Sequence, residues 1–298
     1  FRRFAKKNFD VFFATKTNQE KKINGVYYIN ENNIDKEKTY DLAIAVSNAN
    51  LFNNIKSLKK AVFSVSNQSL EKFLRKRQFI STYTHKPVIV TLCDYQLKKR
   101  SFFTSPFGKL KIPITVDRQF IDEEVDVNFI PTKRAIYNIR SNRNLDSLLD
   151  IWTGLIYPKD KNLEFHITPN LIHYSDKLKN HNIFLRTIGS RREMINELKH
   201  SRVLLYLGHK SDIFTLTAEE AIKLCVPVIT YGIGSLSERV SHGNNGFVAK
   251  NSSEFAKYTL DIMNDDSILR ELKAKMFKKR LELTWSVIAD TWIKNFLR

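Results

Sequence analysis

Between Asp212 and Gly246 the chain runs DIFTLTAEEAIKLCVPVITYGIGSLSERVSHGNNG. The pattern gives a short polar loop, a helix, a turn at Pro227, a buried strand through Val228 and Ile229, a Gly-rich turn and a second helix start. Asp212 and Glu220 stand eight positions apart, one before the helix and one expected in its first turn. Two carboxylates and a row of helix-start N–H groups can then face one small ligand. Carboxylates accept hydrogen bonds from sugar and ribose hydroxyls, and the N–H groups suit phosphate oxygens. The segment therefore points to a polyhydroxylated, phosphorylated ligand.

Outward from this stretch, short β-rich runs alternate with helical patterns, the mark of βαβ units and parallel sheets. Strands are expected at Val11–Ala14, Val26–Ile29, Leu42–Val46, Ala61–Val65 and Val88–Leu92, with basic amphipathic segments at Asn54–Lys60 and Ser69–Arg77. Pro106–Val116 reads as an edge strand leading into a linker from Asp117 to Lys133, which carries the acidic run Asp122-Glu123-Glu124. The second half restarts with a strand at Ala135–Ile139 and a helix at Leu145–Thr153. Strands follow at Leu163–Thr168, Ile183–Thr187, Val203–Leu207, Pro227–Thr230 and Gly246–Ala249. From Asp266 onward the chain reads as helical. Two such halves predict an α/β protein of two Rossmann-like domains facing across a cleft.

The length, 298 residues, accommodates two domains, and a hydrophobic content of 42% supports real cores. No apolar run approaches a membrane span, and no secretory signal is visible. The chain opens at Phe1 inside an apparent helix, so an N-terminal segment is expected to be missing. Cys93 and Cys225 sit in apolar runs and read as buried thiols in a reducing compartment. The seven histidines show no metal-ligand spacing. The net charge of +18 concentrates in the first half, at Arg2–Lys7, Lys56–Lys60, Lys72–Arg77 and Lys98–Arg100. Nucleic-acid binding would ask for aromatic interleaving or a recognisable module, and the aromatics fall on strand and core positions. A biased composition with a basic patch facing an anionic membrane accounts for the charge better.

The Asp212–Gly246 run also resembles the signature of the group 1 glycosyltransferases (family 4, retaining, GT-B fold). That pattern is an acidic residue, Gly-Phe-Gly, a Glu opening a helix that ends in Gly-Thr-Pro-Val-Ile, a Gly-Gly-x-x-Glu turn and an Asn-Gly-hydrophobic strand. Asp212, Phe214, Glu220, Pro227-Val228-Ile229, Gly234, Glu238 and Asn245-Gly246-Phe247 match it in order. Thr284, Trp285 and Ala289 are similar to the family's closing helix, which crosses back to the first domain. The resemblance implies an acceptor-side domain at 1–131 lacking its first strand, a donor-binding domain at 132–280 and the crossing helix at 281–298. It implies a glycosyltransferase moving a sugar from a nucleotide-sugar donor to an acceptor, with a lipid-linked or cell-surface glycan among the acceptors and with retention. The nucleotide sugar is a substrate; no cofactor and no metal are expected. The location implied is cytoplasmic, with the inner membrane face as a peripheral site.

Residue by residue, the resemblance makes Asp212 and Glu220 the catalytic pair, the first accepting from the donor sugar and the second from the ribose. The N–H groups near Thr215 and Leu216 would hold the phosphate, with Phe214 at the sugar. The run from Ala135 to Leu145 is similar to a Gly-Arg-x-x-x-x-Lys-Gly region whose two cations neutralise the diphosphate. Asn138 stands at the Arg position and Arg143 at the Lys position, with Arg140 a substitute off register. Gly189, with Ser190, would line the base pocket. Each has a plainer reading: Arg140 and Arg143 as solvated turn residues, Gly189 as an ordinary turn, Phe214 as core. His209, three residues before Asp212, is the one histidine placed near the acidic loop. Ser66 stands where many members carry a cleft histidine, with Asn67 kept, and Ile213-Phe214-Thr215 replaces Gly-Phe-Gly. These departures sustain a competing reading, a catalytically silent GT-B scaffold or binding subunit. A nucleotide-sugar isomerase of the same fold is a third.

Overall fold

The computed structural model describes residues 2–66, 70–99, 102–104, 106–139, 143–168, 178 and 180–298. Arg140, Asn67, Ser69 and Arg100 lie outside the described residues. The chain divides into two compact units, 1–114 with 283–298, and 115–282.

The first unit opens with helix α1 (Arg2–Ala5) and strands β1 (Val11–Thr15), β2 (Lys21–Ile23) and β3 (Val26–Asn30). These form their own sheet in the order β1-β3-β2, with β2 and β3 antiparallel. The first two strands expected for the Rossmann-like sheet are thus set apart from it. Asn24-Gly25 accounts for the added antiparallel strand β2: both residues have positive φ, 51° and 81°, and a two-residue turn of that hand closes a tight hairpin. The parallel sheet has four strands in sequential order: β4 (Thr39–Val46), β5 (Lys56–Phe63), β6 (Val88–Thr91) and β7 (Lys109–Lys111). β5 includes most of the segment expected to be an amphipathic helix at Asn54–Lys60. Its lysines mislead the pattern, because β4 pairs it from Thr39↔Lys56 to Val46↔Phe63. Helices α2 (Leu70–Arg75), α3 (Phe79–His85) and α4 (Asp94–Lys98) connect the later strands.

The second unit begins with α5 (Arg118–Ile121), inside the expected linker. Val116 and Phe120 are fully buried in this unit's core. The acidic run is fastened as well: Glu123 pairs with Arg192 at 2.6 Å and Lys199 at 2.7 Å. Arg280 donates to the carbonyls of Phe120, Ile121 and Glu123. Residues 117–133 therefore pack as part of the domain. There follow β8 (Arg134–Tyr137), α6 (Leu145–Ile151), β9 (Glu164–Ile167), β10 (Ile183–Leu185), α7 (Arg191–Lys199), β11 (Val203–Leu205), α8 (Leu216–Lys223), β12 (Val228–Thr230), α9 (Leu236–Arg239), β13 (Gly246–Val248), α10 (Ser252–Asn264) and α11 (Asp266–Lys279). The six strands are all parallel, in the order β10-β9-β8-β11-β12-β13. The central strands β11 and β12, buried at every residue, read as short runs without alternation, whereas Phe184 and Leu185 of the edge strand β10 stay exposed.

The last helix, α12 (Trp285–Phe296), belongs to the first unit. Thr284 caps it, its hydroxyl accepting from Val287 N. Ile288, Ala289, Trp292, Ile293 and Phe296 form its buried stripe. Ile288, Trp292 and Phe296 share a core with Ala61, Val90 and Ile112, and Trp292 meets Phe63 edge-on at 5.7 Å.

Candidate functional site

In the second unit the strand order reverses between β8 and β11. In a doubly wound sheet the loops leaving those two strands diverge, so a crevice opens beyond their carboxyl ends. A cavity of about 570 Å³ lies there, lined by Asn138 and Ile139 after β8, Tyr206 after β11, and Asp212, Phe214, Thr215, Leu216 and Thr217 at the start of α8. Arg143, Thr168, Ile188 and Met194 complete the wall.

The acidic loop is held from several sides. The buried Tyr206 hydroxyl donates to Asp212 Oδ2, and burial, with the Asp212 carboxylate, raises the phenol pKa well above its ordinary value. Asp212 N donates to His209 O at 3.0 Å, and Ser235 N donates to Asp212 O at 2.9 Å. Gly234, at φ 71°, makes that approach possible: a Cβ there would lie 2.5 Å from His209 O and 2.9 Å from Asp212 O.

Among the described residues, Arg143 is the cation that lines the cavity. Its Nη1 reaches His209 Nδ1 at 2.5 Å and donates to the Ser211 hydroxyl, and it lies 3.9 Å from Asp212 Oδ1. Its side chain keeps 23% exposure, enough to meet a ligand. His209 Nδ1 also accepts from Ser211 N at 3.2 Å, so the histidine orients the arginine. Asn138 does not supply a second charge. Its amide donates to Met194 Sδ at 2.7 Å and accepts from Thr168 Oγ1 at 2.7 Å.

Helix α8 begins at Leu216 without a side-chain cap. The Thr215 hydroxyl instead meets Ser235 Oγ at 3.0 Å, and Thr217 Oγ1 donates to Asn138 O at 3.1 Å. The helix's leading N–H groups, which have no partner within the helix, thus open at the cavity that Thr215, Leu216 and Thr217 line. Its other end is closed by Val226 N to Ala221 O at 2.8 Å and Cys225 N to Ile222 O at 3.0 Å, with Cys225 left-handed at φ 58°. That is the stop usually served by glycine, and Pro227 follows it.

Two expected site residues stand apart from the cavity lining. Glu220 lies on the second turn of α8; the first-turn acid is Glu219, which pairs with Arg239 at 2.9 Å. Burial raises the Glu220 pKa and Asp117 adds to it, while Arg191 opposes the shift. Gly189 donates its N–H to Glu193 at 2.9 Å, and Ser190 caps α7, so the pair builds a capping box. Phe214 lies under Arg239, whose guanidinium carbon is 3.7 Å from the ring centroid. In the first unit the Ser66 carbonyl accepts from Ser64 Oγ and Gln96 Nε2. Tyr206, Thr168, Met194 and Thr217 were not singled out from sequence. Tyr206 had a signal, a lone hydroxyl in the apolar run Val203–Leu207. Among the described residues, no group of three or more His, Cys, Asp or Glu could hold a metal ion.

The family model for glycosyl transferases group 1 matches residues 140–280, the segment that carries this cavity. Residues 140–280 belong to the group 1 glycosyl transferases. No curated protein sequence matches the chain. Among solved structures, a Staphylococcus aureus TarM variant in complex with fondaparinux, α-GlcNAc-glycerol and UDP is 18% identical at a TM-score of 0.64, covering 86% of this chain and 55% of that one. Sucrose-phosphate synthase from Thermosynechococcus elongatus is 11% identical at 0.67, covering 87% and 73%. Anabaena HepE in complex with UDP and glucose is 14% identical at 0.63, covering 87% and 77%. These are GT-B glycosyltransferases, and the likeness places the present fold in that class. The chain spans just over half the length of TarM.

Proposed function

We propose that the chain serves a glycosyltransferase reaction that takes a sugar from a nucleotide-sugar donor, with retention, to a glycan or lipid-linked acceptor. The observation that carries this reading is the meeting of Arg143, Asp212 and the uncapped start of α8 at the topological switch point. When the sugar–phosphate bond breaks, negative charge grows on the departing diphosphate. A fixed cation and a helix N-terminus stabilise that charge with no rearrangement at the moment of reaction. Asp212, fixed by Tyr206, accepts from the sugar hydroxyls, and Glu220 accepts from the ribose. Because TarM and HepE were solved with UDP, a uridine nucleotide is the first donor to try.

The silent-scaffold reading has one observation in its favour: Asn138, which stands at the expected Arg position, is consumed by Thr168 and Met194, and among the described residues no second cation joins Arg143 in the cavity lining. Saturation-transfer NMR against a panel of nucleotide sugars, followed by turnover of the best binder, separates the readings. Binding with acceptor-dependent release of nucleoside diphosphate supports the transferase. Binding without turnover supports the scaffold, and acceptor-independent conversion of the sugar supports an isomerase. No binding by any nucleotide sugar contradicts the transferase and the isomerase and leaves the scaffold.

A further inference from the structure

We infer that Arg239 is a positioning residue for the donor sugar: clamped by Glu219, it fixes the Phe214 ring in the wall of the switch-point cavity without touching the ligand itself. The inference rests on the nucleotide-sugar reading of that cavity. Phe214 is half-buried and lines the cavity. The Arg239 guanidinium carbon stands 3.7 Å from its ring centroid, a stacking distance, while Arg239 itself stands outside the lining.

The plane of that guanidinium is held by a buried ion network. Arg239 Nη1 donates to Glu219 Oε2 at 2.9 Å, with only 11% and 9% of the two side chains exposed. Glu219 Oε1 lies 3.5 Å from Lys223 Nζ one turn along α8, and Lys223 Nζ donates in turn to Arg280 O. Burying two cations and a carboxylate is costly, and apolar side chains of similar volume commonly fill such a space with no loss of stability. What the network adds is direction. A guanidinium has one plane, and the carboxylate that it donates to sets that plane.

The backbone of Arg239 is fixed independently. Its N–H donates to Ser235 O at 3.2 Å, and its carbonyl accepts from Asn245 Nδ2 at 2.8 Å. The same short segment braces the acidic loop on either side of the ring. Ser235 N donates to Asp212 O at 2.9 Å, and Ser235 Oγ meets the Thr215 hydroxyl at 3.0 Å. Residues 235–239 therefore hold Asp212, Phe214 and Thr215 at three points, and Arg239 supplies the one that acts on a side chain in the wall.

The test is calorimetry of the full chain with uridine, adenosine and guanosine diphosphates and with their glucose conjugates, in a double-mutant cycle of Arg239→Met and Phe214→Ala. Arg239→Met keeps length and apolar reach, and Glu219 keeps Lys223 as a partner. It should weaken the nucleotide sugar roughly 2- to 30-fold, the range of a cation–ring contact, and leave the free nucleotide nearly unchanged. Because Arg239 acts through the ring, Arg239→Met should add nothing in the Phe214→Ala background, whereas a general loss of packing would weaken binding there too. Arg239→Lys keeps a charge beside Glu219 without the flat stack; it should also weaken the nucleotide sugar, and it carries the same cycle if the methionine variant does not fold. Additive losses in the cycle, or variants that bind the nucleotide sugar like the parent, overturn the inference and leave the donor reading in place. A parent chain that binds none of these ligands fails the donor reading itself, and the inference with it.

Discussion

Arg143→Ala removes the one described cation lining the cavity at the switch point. Its guanidinium is braced by His209 at 2.5 Å and by Ser211, and it stands 3.9 Å from Asp212. A hydrogen bond to a charged partner contributes about 1.5–3 kcal/mol. Loss of the diphosphate contact should therefore weaken nucleoside diphosphate by about 10- to 150-fold, at about 1.4 kcal/mol per decade. The fold should survive, because Asp212 keeps the Tyr206 hydroxyl and its backbone bonds. A stability loss of about 1 kcal/mol corresponds to a midpoint shift of only about 2–4 °C in a domain of this size. Arg143→Lys should recover part of the affinity at most, since one ammonium cannot keep the brace and grip a phosphate in the same plane. Calorimetry with nucleoside diphosphate and nucleotide sugar side by side reads both effects, with thermal melting as the control. If Arg143→Ala binds both ligands like the parent, the diphosphate does not sit against this residue and the reasoning fails.

Three further outcomes are expected. Asp212→Asn should spare the free nucleotide and weaken the nucleotide sugar by roughly tenfold, the difference between a charged and a neutral acceptor; equal losses for both ligands in calorimetry would contradict the assignment. Glu220→Gln should weaken nucleotide binding yet stabilise the fold at neutral pH. Burial raises the Glu220 pKa, so its stabilising share is complete below the ordinary carboxyl value of 4.5 and is lost as pH rises through the folded-state value. The variant's advantage in denaturant titrations should accordingly vanish in acid, and an advantage independent of pH would be inconsistent with that cause. Gly234→Ala forces a Cβ against two backbone carbonyls at a left-handed residue. It should cost at least about 2 kcal/mol and weaken the nucleotide sugar through the displaced acidic loop; an unchanged unfolding midpoint would refute this.

The second unit is the more legible half because its candidate site is local in sequence. Asp212, Phe214, Thr215 and Leu216 lie in one continuous run, and that run folds as one loop and helix start. Arg143 came from a similarly short stretch. What escaped was whatever depends on contacts across the sheet. Tyr206 reaches Asp212 from the neighbouring strand end, and Thr168 and Met194 consume Asn138 from elements 30 and 56 residues away. Residues 117–133 looked like a linker because they are acidic and broken by proline. Their tie to the domain is made by Lys199, Lys273 and Arg280, far along the chain. In the first unit, Asn24-Gly25 is a plain hairpin signal, and the hairpin it closes pairs β2 with β3. Lys56 to Lys60 imitated a helix face while lying in a strand, where β4 decides the conformation.

The central claim is that a nucleoside diphosphate binds at the switch point of the second unit. A crystal structure of the full chain with that ligand tests it most directly. The account predicts the diphosphate against the backbone N–H groups of Thr215 to Thr217, within hydrogen-bond reach of Arg143, with the sugar side toward Asp212. A larger cavity of about 870 Å³, lined by Phe129, Lys199, Lys273 and Arg280, lies beside the segments that lead into β8, β11 and β12. Nucleotide ordered there, with the switch-point cavity unaltered, would contradict the account.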